Sequence, residues 1–206
     1  MKSAERRSQL LGVAAELFAE KGFYGTTTKE ISASAGITEA LIFRHFENKD
    51  ALYAAVIEEY IQNSRRPEWH AGIRACMASN DDLGLIRALI DYVIEAYRTF
   101  PRMQRLMLFA ILKGDHKEAD RACHLPKKLQ REVIDYLTRR QKKGLICNMD
   151  PAGVFQIIFS MSRSYAIGKY VYKLSELTMS DKEAVEMFTQ FAAKSVLRTR
   201  NPKHAE

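Results

Sequence analysis

Apolar residues recur at every third or fourth position through most of the chain and rarely alternate, so the pattern predicts helices and no strands. Leu10, Leu11, Ala14, Leu17 and Phe18 form the stripe of a first helix, and Gly22 falls where a left-handed cap would close it. Thr27 opens the run TTKE, in which Thr27 caps the following amides while Glu30 reaches back, so a second helix starts there. Ile31 and Ala35 are its inward positions, Gly36 ends it, and Thr38 is placed to cap a third helix from Glu39. Asn48 opens a fourth, with Leu52, Val56, Ile57 and Tyr60, which runs out near NSRRPEW, where Pro67 and clustered charge read as a connection. Helical period returns over 83–99, 103–113, 126–143, 151–173 and 181–198, with SDKE as a second capping box and Pro151 at a first helical position. The expectation is an all-α chain of about nine helices, divided into residues 1–64 and 65–206.

The short stretch GITEALIFRHFENKDAL, residues 36–52, carries the sharpest signal. Ile42 and Phe46 are spaced for a core, yet Phe43, Arg44 and His45 crowd an aromatic ring, a guanidinium and an imidazole between them. Two short helices joined by a glycine turn form a helix-turn-helix, whose second helix enters the DNA major groove while the first braces it. Ile42 and Phe46 then face Ile31, Ala35 and the first helix, leaving Glu39, Ala40, Leu41, Phe43, Arg44 and His45 for DNA.

Charge complicates that picture. The formal charge is +7 and the pI about 9.3, which suits an anionic partner. Residues 1–66, however, hold nine Lys or Arg against nine Asp or Glu, and residues 67–206 hold twenty-three against sixteen. Phosphate binding must therefore rest on local placement of Lys29, Arg44 and Lys49 and on helix N-termini. Hydrophobic residues make up 47% of the chain, enough for a sizeable core. Cys76, Cys123 and Cys147 are widely separated, which argues against a disulfide framework or a structural zinc site. No apolar run approaches a membrane span, and the charged N-terminus lacks the pattern of a signal peptide, so a cytoplasmic protein with no membrane partner is expected.

LFAEKGFYGTTTKEISASAGITEALIFRHFENKDAL resembles the DNA-binding domain of the TetR (tetracycline-repressor-like) regulators, closely over residues 7–60. The resemblance implies an N-terminal three-helix helix-turn-helix domain with a connecting fourth helix, and a larger helical ligand-binding and dimerisation domain. It further implies a homodimer on a palindromic operator, released when a small molecule binds. Thr27, Thr28 and Lys29 at the second helix and Lys49 at the fourth would meet phosphate; Thr38, Glu39, Ala40 and Leu41 form the first turn of the recognition helix. Arg44 could pair with a guanine edge, and His45 looks like the family's phosphate-side histidine. Phe43 departs from a typical tyrosine and loses its hydroxyl.

In the second domain, small residues alternate with Phe155, Phe159 and Tyr165, and with Ser162 they are expected to join Ala184, Phe188 and Phe191 in an intersubunit four-helix bundle. Tyr92, Tyr97, Phe100, Met103, Met107, Phe109 and Tyr136 supply the aromatic and thioether side chains of a ligand pocket. Residues 98–143 hold thirteen Lys or Arg against five Asp or Glu, which favours an amphipathic effector with a negative group near Arg102, Arg105 or Arg121. An activator of the same family and an architectural DNA-binding protein are the alternatives. No phosphate loop, nucleophile elbow or metal-ligand spacing is present, so no enzyme, cofactor or metal is expected.

Overall fold

The computed structural model describes residues 3–63, 67–114 and 125–198. Among them the chain is all-α: α1 (Ser3–Gly25), α2 (Thr28–Ala35), α3 (Glu39–His45), α4 (Lys49–Asn63), α5 (Pro67–Ser79), α6 (Asp82–Thr99), α7 (Pro101–Lys113), α8 (Lys127–Lys142), α9 (Pro151–Ala166) and α10 (Asp181–Val196). No helix among the described residues is long and apolar enough to cross a membrane.

Two compact units are present, and their boundary differs from the sequence expectation. The first holds the described residues up to 63 together with 100–114; the second holds 67–99 and 125–198. The helix assigned to the ligand domain by sequence, α7, thus belongs with the N-terminal helices. Its apolar stripe explains why: Leu106, Met107 and Ala110 close one buried core with Leu10, Ala14, Phe18, Ile31, Ile42, Leu52 and Ile57. Tyr53 of α4 fastens α7 by donating its hydroxyl to the Leu106 carbonyl at 2.6 Å. Burial of these side chains, at roughly 1.5–3 kcal/mol each, outweighs any break in sequence composition.

Gly22 does not end α1 but bends it. Its φ of 74° and ψ of 173° interrupt the helix, and a Cβ there would lie 2.9 Å from the Phe109 ring of α7. Only glycine combines that backbone with that close approach.

In the second unit, α6 is the central helix and packs against α5, α9 and α10. Two features escape the sequence reading. The expected connection at Pro67 is the first residue of a 13-residue helix, α5; proline at a first helical position lacks only an amide that would have no intrahelical partner. The expected helix 151–173 stops being α-helical at Ala166 and continues as a π segment, Ile167–Tyr172, ending on Lys173 at φ 56°. Gly168 lies in that segment, where a Cβ would fall 2.5 Å from Leu177. The end of α10 is tied back by an isolated antiparallel bridge between Ile146 and Leu197.

Candidate nucleic-acid interface and second-unit cleft

Three consecutive threonines set up the entry to α2, each with a separate task. Thr26 is fully buried, and its hydroxyl bonds the Leu17 and Gly22 carbonyls at 3.1 and 2.9 Å, closing groups left open by the α1 bend. Thr27 forms the capping box: its hydroxyl accepts the Glu30 amide at 3.1 Å, and the Glu30 carboxylate accepts the Thr27 amide at 3.0 Å. Lys21 reaches the same carboxylate at 2.9 Å; its hydrogen bond, with the Thr27 amide, holds the Glu30 carboxyl below the usual range. Thr28 donates its hydroxyl to the Glu39 carboxylate at the start of α3. The hydroxyls expected on phosphate are thus engaged within the free protein. Apart from the Glu30 amide, which Thr27 caps, the first-turn amides of α2 are left without intrahelical partners, as at any helix start.

The turn into α3 rests on Gly36, in the left-handed conformation at φ 62° and ψ 38°, with the Gly36 and Ile37 amides donating to Ala33 and Ser32. Thr38 stands at the cap position of α3, but its side chain makes no capping bond. Ile42 is fully buried, and this orients the whole helix. At about 100° per residue, Ala40 and Arg44 lie about 160° from Ile42, Leu41 and Phe43 about 100°, and Glu39 and His45 only about 60°. The outward strip is therefore Ala40 and Arg44, flanked by Phe43, which is 49% exposed, and the half-buried Leu41. Glu39 and His45 lie on its margins. Lys29 and Arg44 carry no intramolecular ion pair among the described residues.

Lys49, expected on phosphate, is engaged within the chain. Its ammonium donates to the Phe23 carbonyl at 2.8 Å and the Thr26 carbonyl at 3.0 Å, over the Phe23 ring at 4.2 Å. A strongly hydrated cation is held there because the end of α1 presents carbonyls that need donors. Lys113 of α7, which sequence reasoning overlooked, sits 3.9 Å from the same ring and pairs with Asp50.

The expected effector wall is divided between the two units. Met107 is buried in the first core, Met103 packs against that core, Phe109 abuts Gly22, and Phe100 precedes α7. Tyr136 is buried in the second unit, donating to Asp82 at 2.6 Å. Of the arginines expected near the negative group, Arg102 pairs with Glu16 at 3.1 Å; elsewhere in the basic stretch Arg98 pairs with Glu95 at 2.5 Å and Arg140 with Asp82 at 2.5 Å. Arg105 is half-buried, and Arg121 lies outside the described residues.

The second unit instead offers a cleft of about 530 Å³ along α5, α6 and the first turns of α10. Trp69 and Tyr92 meet edge to face on its wall, 5.9 Å between ring centres. Burial pushes the Tyr92 phenol up to about 12. At its rim, Asp181 collects Lys169 at 3.0 Å and the hydroxyls of Tyr165, at 3.0 Å, and Tyr170. Trp69 was missed because it lies one turn inside the helix read as a connection.

The expected dimer residues need the same correction. Phe155, Phe159, Ser162, Tyr165 and Ala184 are buried within their own chain, and Phe188 is half-buried against Tyr165. Only Phe191 of that set is open, at 62%, beside Met187 at 48% on α10, with Ile157 of α9 at 58%. The inward residues of both helices fill the unit's own core against α6, and a different side of the two helices is left exposed.

Residues 10–56, spanning most of α1 to α4, match the family described as bacterial regulatory proteins, tetR family. The chain is 26% identical over 161 residues to the HTH-type transcriptional regulator RutR of Escherichia coli K12, covering 78% of this chain and 74% of RutR. It is 36% identical over 58 residues to the HTH-type transcriptional repressor KstR2 of Mycolicibacterium smegmatis, 28% of each chain. The fold matches that of a transcriptional regulator from Saccharomonospora viridis solved in complex with choline, with TM-score 0.68, 13% identity, and 96% and 100% of the two chains covered. The glycine-turned helix pair that presents Arg44 lies within the residues that match the tetR family, so this part of the chain is similar to the DNA-binding domain of TetR-family transcriptional regulators.

Proposed function

We propose that the protein is a repressor that binds a palindromic operator as a homodimer and releases it when a small amphipathic molecule enters the second unit. Its work is binding and not turnover, and a DNA partner puts it in the cytoplasm. The observation that carries the DNA half of this reading is the outward strip of α3. Ile42 fixes the helix on the core, and Arg44 stands opposite with no internal partner. A guanidinium so placed pairs bidentately with guanine O6 and N7, Ala40 admits a close approach to a thymine methyl, and Phe43 adds van der Waals contact. Lys29 and the first-turn amides of α2 supply phosphate contacts. With nine charges of each sign in residues 1–66, the slope of affinity against salt should be modest.

A seven-residue recognition helix covers one half-site, so a two-fold operator needs two copies. Ile157, Met187 and Phe191 supply the apolar surface on which a second copy pairs its own α9 and α10, giving a four-helix bundle. The choline complex of a regulator with this fold supports a small-molecule response. Phe100 alone separates α6, which lines the cleft, from α7, which is built into the core of the reading head. A ligand that shifts α6 acts on α7, and through Tyr53 and Asp50 on α4. The ligand must favour the displaced arrangement, since equal affinity for both states shifts nothing.

Selection of bound DNA from a random pool tests the reading. It should return an inverted repeat with half-sites one helical turn apart, about 34–36 Å. Recovery of no site, or of a single unrepeated site, would overturn it.

A further inference from the structure

We propose that the second-unit cleft takes an organic cation, with Trp69 and Tyr92 as its aromatic wall and Asp91 as its counter-ion. The proposal rests on the effector-responsive reading above and names the chemical class of that effector. Its basis is an account of the charges around a cleft of about 530 Å³. Arg87 is paired with Glu186, and Arg98 holds Glu95 at 2.5 Å. Asp181 is taken up by Lys169, Tyr165 and Tyr170. Lys182 and Glu68 also line the cleft, both exposed, so its carboxylates outnumber its cations four to three. Asp91, in the middle of the α6 lining, has no hydrogen-bond or ion-pair partner among the described residues. Partial burial raises its carboxyl above the ordinary Asp range, with Arg87 one turn before opposing and Glu95 one turn after reinforcing the shift.

An unpartnered carboxylate next to half-exposed aromatic rings is complementary to one kind of ligand. The negative face of an aromatic ring attracts a weakly hydrated cation, and the carboxylate supplies its counter-charge in a partly desolvated setting. An anion of the same size would be forced against Asp91, while the arginines that could receive it are held by carboxylates and only Lys182, on the α10 side, is left to it. A cation with apolar substituents satisfies rings and carboxylate together, and it offsets the desolvation that raises Asp91.

Tetraphenylphosphonium and tetraphenylborate, alike in size and shape and opposite in charge, are the probes, titrated calorimetrically into the full chain in sodium buffer. The phosphonium should bind at least about tenfold more tightly than the borate, a difference that Asp91→Asn abolishes and Asp91→Glu preserves. Trp69→Leu should weaken the phosphonium without restoring the borate. Equal or tighter binding of the borate, unchanged affinity in Asp91→Asn, or binding of neither probe would overturn the proposal. If the protein in that last case still retrieves an inverted repeat from a DNA pool, the regulator reading stands without it. Cation binding by a protein that retrieves no DNA site would sink the regulator reading and leave the cleft assignment intact. Asp91 is only partly covered on α6 and holds no hydrogen bond or ion pair among the described residues, so its variants should keep the helical signal of the parent chain.

Discussion

Helix α3 and the pair α9 and α10 show the same kind of apolar spacing, yet in α3 Ile42 is buried and Arg44 exposed as the spacing suggests, whereas in α9 and α10 most residues expected at a subunit seam are buried within their own chain. In α3 Ile42 is buried and the remaining face is chemically distinctive, so Arg44 is left outward and unpaired among the described residues. In α9 and α10 a second, smaller apolar set stands exposed among polar residues. Phe155, Phe159 and Ala184 form the inward side against α6, and Ile157, Met187 and Phe191 form the outward side. Periodicity identifies a stripe that seeks burial, but it carries no information on whether the burying partner is the same chain or a second one. Only the competition among stripes around each helix, resolved by packing, decides that.

The largest expected effects separate those two sides. Phe155→Ala should cost about 3–5 kcal/mol of stability, because the ring is 1% exposed and its removal leaves a cavity. Phe191→Asp should leave the melting temperature of the monomer nearly unchanged, because that side chain is already in water. It should nonetheless yield monomers by sedimentation and reduce operator affinity at least about a hundredfold, since a charge would be desolvated at the bundle seam. A folded, dimeric Phe191→Asp protein would move the interface off this face.

A second contrast lies within the reading head, between what α1 to α4 contribute and what α7 contributes. Gly22→Ala should destabilise the first unit by about 1–3 kcal/mol, from the positive φ and from the Phe109 ring in the way. Pairing it with Phe109→Ala should recover only the steric part. Hydrogen exchange that slowed or stayed level in α1 and α7 of Gly22→Ala would count against this account.

The capping box, the glycine turn and the apolar spacing of α1 to α4 are legible in the sequence because each is a short-range device whose residues lie within four positions. The membership of α7 in the same core is not, since Tyr53 and Leu106 or Gly22 and Phe109 meet across more than fifty residues of chain. For the same reason the intramolecular partners of Lys49 are hidden in sequence: the Phe23 and Thr26 carbonyls are more than twenty residues back. Trp69 and Asp91 are hidden differently. A lone tryptophan after a proline resembles a linker, and an unpartnered carboxylate is recognised only once its neighbours are known to be paired.

Arg44 and Lys49 allow a paired measurement of smaller size. Arg44→Ala should cost about 1–3 kcal/mol per half-site and relax selection at one base pair in each. Lys49→Ala should lower the melting temperature, through loss of its two carbonyl contacts, while the slope of affinity against salt stays close to that of the parent. Salt titrations of both variants on the selected site decide the assignment. A slope flattened by about one ion in Lys49→Ala would return that lysine to the phosphate backbone.

The smallest effects compare the one device present in both units, the capping boxes at Thr27 and Ser180. Both form, each closed by a glutamate three residues on, so Thr27→Ala and Ser180→Ala should each cost about 1 kcal/mol. The first helical residue sets the two boxes apart, because at the second it is the ionisable Asp181. Burial alone would raise the Asp181 carboxyl, but bonds from Tyr170, Lys169 and Tyr165 more than offset it and hold the group below the ordinary Asp range. A depressed folded value means that the charged group stabilises the fold above the ordinary Asp value of about 3.9 and loses that contribution as pH falls through the lower one. Asp181→Asn should therefore melt below the parent by a constant margin from pH 7 to about pH 4, and the margin should shrink on further acidification. Thr27→Ala, which removes no charge, should show no such closure over the same acid range. A margin in Asp181→Asn that stayed level to the acid limit of folding would mean that hydrogen bonding without ionisation holds the start of α10.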